Sequence, residues 1–169
     1  MIEDEGAGAA RAGLSTESQS GRGVMCFACG AKNERGLHME FRREGERAVC
    51  DYTPCDYQQW YPGRMHGGIV TTLIDEAMGW AVYGAQQWGA TARLSVRFRR
   101  PVLLDQRLRI EAWVTNNRSR LMELRAEMRD ESGVLLADGE GTFMKLEDRL
   151  SSEMTDIARD AGRTDAPIV

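Results

Sequence analysis

The chain contains no apolar run approaching the roughly 18 residues that a membrane span needs. It has no excess of positive charge: 22 Lys and Arg stand against 26 Asp and Glu, for a net charge of −4. Neutralising phosphates needs a basic surface, so nucleic-acid binding is excluded as the main role. The opening residues, Met1-Ile2-Glu3-Asp4-Glu5, lack the basic and apolar regions of a signal peptide, and the expected compartment is the cytoplasm. There is no internal repeat. Histidine is scarce, with His38 and His66 alone.

What is present suits one globular domain. The chain has 169 residues, 42% of them hydrophobic and 28% charged, which is enough to bury a core. Residues 1–23 are rich in Gly, Ala and Ser and read as a disordered N-terminal arm. The domain is expected over residues 24–147. Residues 148–169 read as a loose C-terminal tail, with a short helix over 150–158 and a frayed end from Gly162. Four cysteines occur, and in a reducing compartment they are expected as thiols. Cys26 and Cys29 form a C-x-x-C pair. One pair falls short of a four-ligand zinc site, unless Cys50 and Cys55 complete it. The reading taken is that all four are small packing residues and that no metal is bound.

Hydrophobic periodicity sets the order of elements. Leu37, Met39 and Phe41 alternate with polar residues, and so do Ala48, Cys50 and Tyr52, with Gly45 between them as a hairpin turn. Tyr61-Pro62-Gly63 marks a turn, followed by an apolar segment of helical length over 67–86. Four more alternating runs follow, around Leu94–Phe98, Leu108–Val114, Leu121–Met128 and Val134–Lys145. The order β-β-α-β-β-β-β, with one-sided strands, predicts an α+β fold in which an antiparallel sheet wraps one long helix.

At about 100° per residue, Ile69, Val70, Leu73, Ile74, Ala77, Met78, Ala81 and Ala85 share one broad helix face, which must pack on the sheet. The opposite stripe holds Gly68, Thr72, Asp75 and Gly79, small residues apart from one carboxylate. Glu76 points about 100° away, so Asp75 is the acid with access to a ligand. Before the helix stand His66 and Gly67. Glycines at a helix start leave backbone N–H groups unshielded, and these suit a carbonyl oxygen that gains negative charge. His66 either fixes this loop or touches substrate. Gly68 and Asp75 are seven residues apart, about 10 Å along the axis, too far to serve one carbonyl group within one chain. Antiparallel helices of two chains bring Gly68 of one copy to Asp75 of the other, so the chemistry predicts a dimer with two shared sites.

The run from His66-Gly67-Gly68 through Asp75-Glu76-Ala77-Met78-Gly79 resembles the motif helix of the hotdog-fold acyl-CoA thioesterases, of the phenylacetate-pathway and 4-hydroxybenzoyl-CoA thioesterase type. Val96-Arg97-Phe98 and Arg100-Pro101-Val102 are similar to the strand after that helix. Cys26-Phe27-Ala28-Cys29-Gly30, Asn33 and Gly36-Leu37 are like a lead-in of bacterial members. The resemblance covers about residues 24–147. It implies a hotdog fold, a homodimer or a homotetramer built as a dimer of dimers, and hydrolysis of an acyl-CoA thioester at the dimer interface. By the same resemblance, the Gly68 N–H polarises the carbonyl and Asp75 acts as base or nucleophile. Some members carry Asn or Gln six residues before the histidine. Here Trp60 stands there, with Gln58 and Gln59 nearby, and an aromatic Trp60–Tyr61 pair suits the wall of an acyl pocket.

The expected site is therefore Asp75, Gly68 and His66 for catalysis, with Gly67, Thr72 and Trp60 around the substrate. Thioester hydrolysis needs no metal or other cofactor. Coenzyme A carries phosphates, and Arg99 and Arg100, near a strand end, are the expected cations for them. Gly139, Gly141 and Thr142 would let the pantetheine pass along the last strand. The alternative is a non-catalytic acyl-CoA-binding or regulatory protein on the same fold. A dehydratase is disfavoured, because it uses a catalytic His and Asp in another arrangement and only two histidines are present. The acyl group stays open.

Overall fold

The computed structural model describes residues 25–160. The arm expected over 1–23 and the frayed end expected from Gly162 lie outside the described residues. The elements run β1 (Phe41–Glu44), β2 (Arg47–Tyr52), a short 3-10 turn (Asp56–Gln58), β3 (Gln59–Tyr61), β4 (Arg64–Met65), α1 (Gly67–Gly84), β5 (Gly89–Phe98), β6 (Leu108–Asn117), β7 (Leu121–Asp130), β8 (Leu135–Lys145) and α2 (Asp148–Asp160). Six strands form one antiparallel sheet in the order β1-β2-β6-β7-β8-β5, and β3 pairs with β4 apart from it. This is the predicted α+β arrangement, with the β3–β4 hairpin added.

The first strand departs from expectation. Leu37, Met39 and Phe41 are buried as the alternation requires. The sheet ladder nevertheless begins only at Phe41, because His38 takes a positive φ of 53°. The Leu37 and Met39 N–H groups donate instead to Phe27 O and Ala28 O of the lead-in loop, at 2.8 and 2.9 Å. Gly36 has no room for a side chain there, since a Cβ would stand 2.9 Å from Phe27 O. At Gly45 the chain turns with φ +61°, as the hairpin expected there requires.

Helix α1 packs on the sheet through the predicted face, with Val70, Leu73, Ile74, Ala77, Met78 and Ala81 all buried. Its burial is wider than that face. Trp80, Val82 and Tyr83 are buried too, so the small-residue stripe reaches only as far as Gly79. The close approach of α1 explains two glycines of β8. A Cβ at Gly139 would lie 2.7 Å from Ile74 Cγ2, and one at Gly141 would lie 2.6 Å from Met78 Sδ. The space the glycines leave on the inner face of the sheet is filled by α1.

Past Trp88 the packing extends to α2. An aromatic chain of Phe41, Trp80, Tyr83 and Trp88 has successive ring centroids 5.1, 5.5 and 5.0 Å apart. Trp88 Nε1 then donates to Thr155 Oγ1 of α2 at 2.9 Å. Ser151 and Thr155 are buried, so this helix is docked on the domain.

Candidate active site

His66 is the N-cap of α1, and its extended backbone ends the β4 segment. Its N–H donates to Gln58 O at 2.8 Å, and its carbonyl accepts from Ile69 and Val70 N–H at 3.0 and 3.1 Å. Its ring faces the helix start, where Gly68 N–H donates to His66 Nδ1 at 2.9 Å. The Gly68 amide is therefore capped by His66, while the Gly67 N–H makes no hydrogen bond among the described residues. The Phe98 ring, at the end of β5, lies 3.6 Å from where a Gly67 Cβ would stand. A side chain on Gly68 would crowd the His66 ring, its Cβ standing 3.0 Å from Nδ1, whereas one on Gly67 would only touch Phe98.

Asp75 lies two turns along α1 and is partly exposed. Its Oδ1 accepts from Thr91 Oγ1 of β5 at 2.8 Å. No cation pairs with it among the described residues. A neutral hydroxyl orients this carboxylate without quenching its charge, which leaves Oδ2 available as a base or nucleophile. Thr72 shares the stripe, but its hydroxyl donates back to Gly68 O at 3.0 Å.

Glu76, the next residue, turns inward. Trp80 Nε1 donates to its Oε1 at 3.1 Å, and Cys26 Sγ lies 3.9 Å from the same oxygen. Burial holds its carboxyl above the usual carboxylate range. Cys29 is also buried there, and the cluster pushes its thiol up through the hydrogen bond with Cys26 and through desolvation. Among the described residues, the close group of possible ligands is thus Cys26, Cys29 and Glu76. Cys50 and Cys55 do not join it, which corrects the four-cysteine alternative. Cys50 is instead a packing residue, fully buried, its thiol pushed up to about 12 by desolvation.

Gln58 is buried, and both ends of its amide are occupied: Oε1 accepts from Cys55 N–H at 3.3 Å and Nε2 donates to Tyr52 OH. It builds the loop that holds His66 and is not offered to a ligand. Trp60 and Tyr61, on β3, are 72% and 60% exposed and tilt against each other with centroids 6.1 Å apart. Of the two expected cations, Arg99 is engaged by Asp138 of β8 through two hydrogen bonds. Arg100 is exposed at the strand end. A cleft of about 430 Å³ opens at the far end of α1 between the β1–β2 hairpin and Asn116, and none of the expected site residues lines it.

Comparison with known proteins places this geometry. Residues 62–137 match the Thioesterase superfamily. Acyl-coenzyme A thioesterase THEM4 of Bos taurus is 32% identical over 124 residues, covering 70% of this chain and 51% of that protein. The chain spans about half the length of the curated relatives it matches. Among solved structures, the E. coli PaaI protein from the phenylacetic acid degradation operon superposes with a TM-score of 0.62 at 18% identity, covering 66% of this chain and 81% of that one. A hypothetical thioesterase protein with coenzyme A from Streptococcus pneumoniae gives 0.61 at 19% identity, over 64% and 85% of the two chains. No helix among the described residues is long and apolar enough to cross a membrane. Residues 62–137 thus resemble the thioesterase superfamily, and the six-stranded antiparallel sheet wrapped on one long helix is the hotdog fold.

Proposed function

We propose that the chain hydrolyses an acyl-CoA thioester at a site shared by two copies of itself. The observation that carries this reading is the setting of Asp75: a carboxylate on a partly exposed stripe of small residues, oriented by Thr91 and unpaired with any cation among the described residues. Asp75 either attacks the thioester carbonyl or takes the proton of an attacking water, and the coenzyme A thiolate leaves. The carbonyl oxygen is received at the start of the partner's α1. The Gly67 N–H is open there, and the Gly68 N–H joins it when the exposed His66 ring swings aside. His66 is then a positioning residue that keeps the amide capped until substrate arrives.

The shared site is supported by what is left uncovered. Strand β5 ends the sheet order, so one of its edges has no strand partner among the described residues. A Cβ at Gly79 would meet nothing within 4 Å. Trp60, Tyr61 and Phe98 are exposed close to the entry of α1, and an exposed apolar patch of this kind is covered by a partner or a ligand. An antiparallel pair of α1 helices lays Asp75 against the partner's helix start, and a homotetramer is two such dimers. Trp60 and Tyr61 then line the acyl end, Thr72 and Gly67 flank the thioester, and Arg100 is the cation for coenzyme A phosphate. Arg99, already held by Asp138, contributes less. The working compartment under this reading is the cytoplasm.

A non-catalytic acyl-CoA-binding role is the second reading, favoured by the engaged Gly68 N–H. Free-thiol release from short, medium, long and aromatic acyl-CoAs tests both, with wild type beside Asp75→Asn. Turnover that collapses in the variant while binding persists is the expected result. Calorimetric binding with no turnover on any acyl-CoA would establish the second reading instead.

A further inference from the structure

We propose that Cys26, Cys29 and Glu76 form a binding site for a thiophilic divalent cation of the zinc class, which clips the lead-in loop to α1. The two sulfurs and a carboxylate oxygen lie within 4.8 Å of one another, although Glu76 follows Cys26 by 50 residues. Around a tetrahedral zinc ion with bonds of about 2.3 Å to sulfur and 2.0 Å to oxygen, such ligand atoms stand about 3.5–3.8 Å apart. The observed Cys26–Glu76 separations of 3.9 and 4.0 Å need only a small contraction.

The surroundings are built for this set of ligands. Gly30 N–H donates to Cys26 O at 3.0 Å, closing the turn that puts both sulfurs on one side of the loop. Trp80 Nε1 holds Glu76 Oε1 at 3.1 Å, which orients the carboxylate as an outer hydrogen bond orients a metal ligand. Burying a carboxylate beside two sulfurs is costly unless a positive charge compensates it. Two thiolates and one carboxylate select zinc over magnesium or calcium, which prefer oxygen alone. Binding releases the two thiol protons to solvent, and water fills the fourth tetrahedral position. A disulfide between the two cysteines would use the sulfurs but would leave the inward-turned carboxylate without a compensating positive charge.

The test uses the full chain, purified under reducing conditions, stripped of metal and titrated with Co²⁺ and then Zn²⁺. One equivalent per chain is expected, with thiolate-to-cobalt charge-transfer absorption and tetrahedral d–d bands that zinc bleaches. Cys26→Ser and Cys29→Ser each abolish the absorption, Glu76→Gln weakens binding at least about tenfold, and Cys55→Ser changes nothing. Wild type with both thiols reduced and no cobalt spectrum would overturn the proposal, whatever the variants do. So would a Cys26–Cys29 disulfide that forms in preference, or uptake unaltered in Glu76→Gln.

Discussion

Thr91 Oγ1 and Asp75 Oδ1 are 2.8 Å apart, and this one hydrogen bond ties the candidate catalytic carboxylate to the edge strand of the sheet. The β5–β8 register shifts between Thr91 and Arg93, and an irregularity of this kind re-aims a side chain. Removing the hydroxyl with Thr91→Val frees the carboxylate to rotate. Hydrogen bonds to charged groups are worth about 1.5–3 kcal/mol, so kcat for thioester hydrolysis should fall about tenfold or more while KM changes little. An unchanged kcat would show that Asp75 is oriented by something else.

Gly141 gives a packing test. Its Cβ would stand 2.6 Å from Met78 Sδ and 3.2 Å from Phe143 Cε2, so Gly141→Ala makes the buried Met78 side chain repack between α1 and β8. Overpacking of this kind costs about 1–3 kcal/mol. Urea denaturation should show the loss as a lower midpoint with an unchanged slope. Gly133→Asn, in an open turn with φ +83°, should cost much less.

Gln58 tests the support beneath His66. Gln58→Leu leaves the buried Tyr52 hydroxyl and the Cys55 N–H without their partner. Each buried group so orphaned costs about 1–3 kcal/mol. The thermal midpoint should drop, and thioester turnover should drop with it, because the Gln58 backbone carries His66 N–H. A variant with wild-type stability would show the amide to be dispensable.

The Arg99–Asp138 pair sets an acid dependence. The Arg99 guanidinium holds the Asp138 carboxyl below the ordinary carboxylate range. A carboxylate with a lowered folded-state pKa adds stability that is full above its unfolded value, about 3.9, and is lost as pH falls through the folded value. Stability measured from pH 7 to 2 should therefore decline less steeply below pH about 4 in Asp138→Asn than in wild type. Both residues are solvent-exposed enough that salt should flatten the wild-type curve as well.

Most of the fold was legible because it is written in local periodicity. Leu108, Ile110 and Ala112 alternate into the core, and α1 ends within two residues of its expected limit. The β3–β4 hairpin was not legible, since its strands are two and three residues long and Trp60 and Tyr61 point outward. The burial of Trp80 and Tyr83 escaped a helical wheel because their neighbours, such as Phe41, come from distant segments. The same holds for Arg99, whose engagement by Asp138 depends on the β5–β8 register. The stripe of Gly68, Thr72, Asp75 and Gly79 was read from spacing alone. For His66 the sequence left loop fixing and substrate contact open, and its cap on Gly68 N–H depends on a ring orientation that spacing does not encode.

Asp75 and Glu76 are chemically near-identical neighbours, yet one meets Thr91 at the surface and the other is locked against Trp80 inside. That pairing keys the rotation of α1 about its own axis. A turn of about 100° would exchange the two acids, and it would strand Glu76's interior partner while carrying Asp75 out of reach of Thr91. The azimuth of the Asp75 carboxylate is thus set by its silent neighbour, so damage at Glu76 should surface as misalignment one residue away.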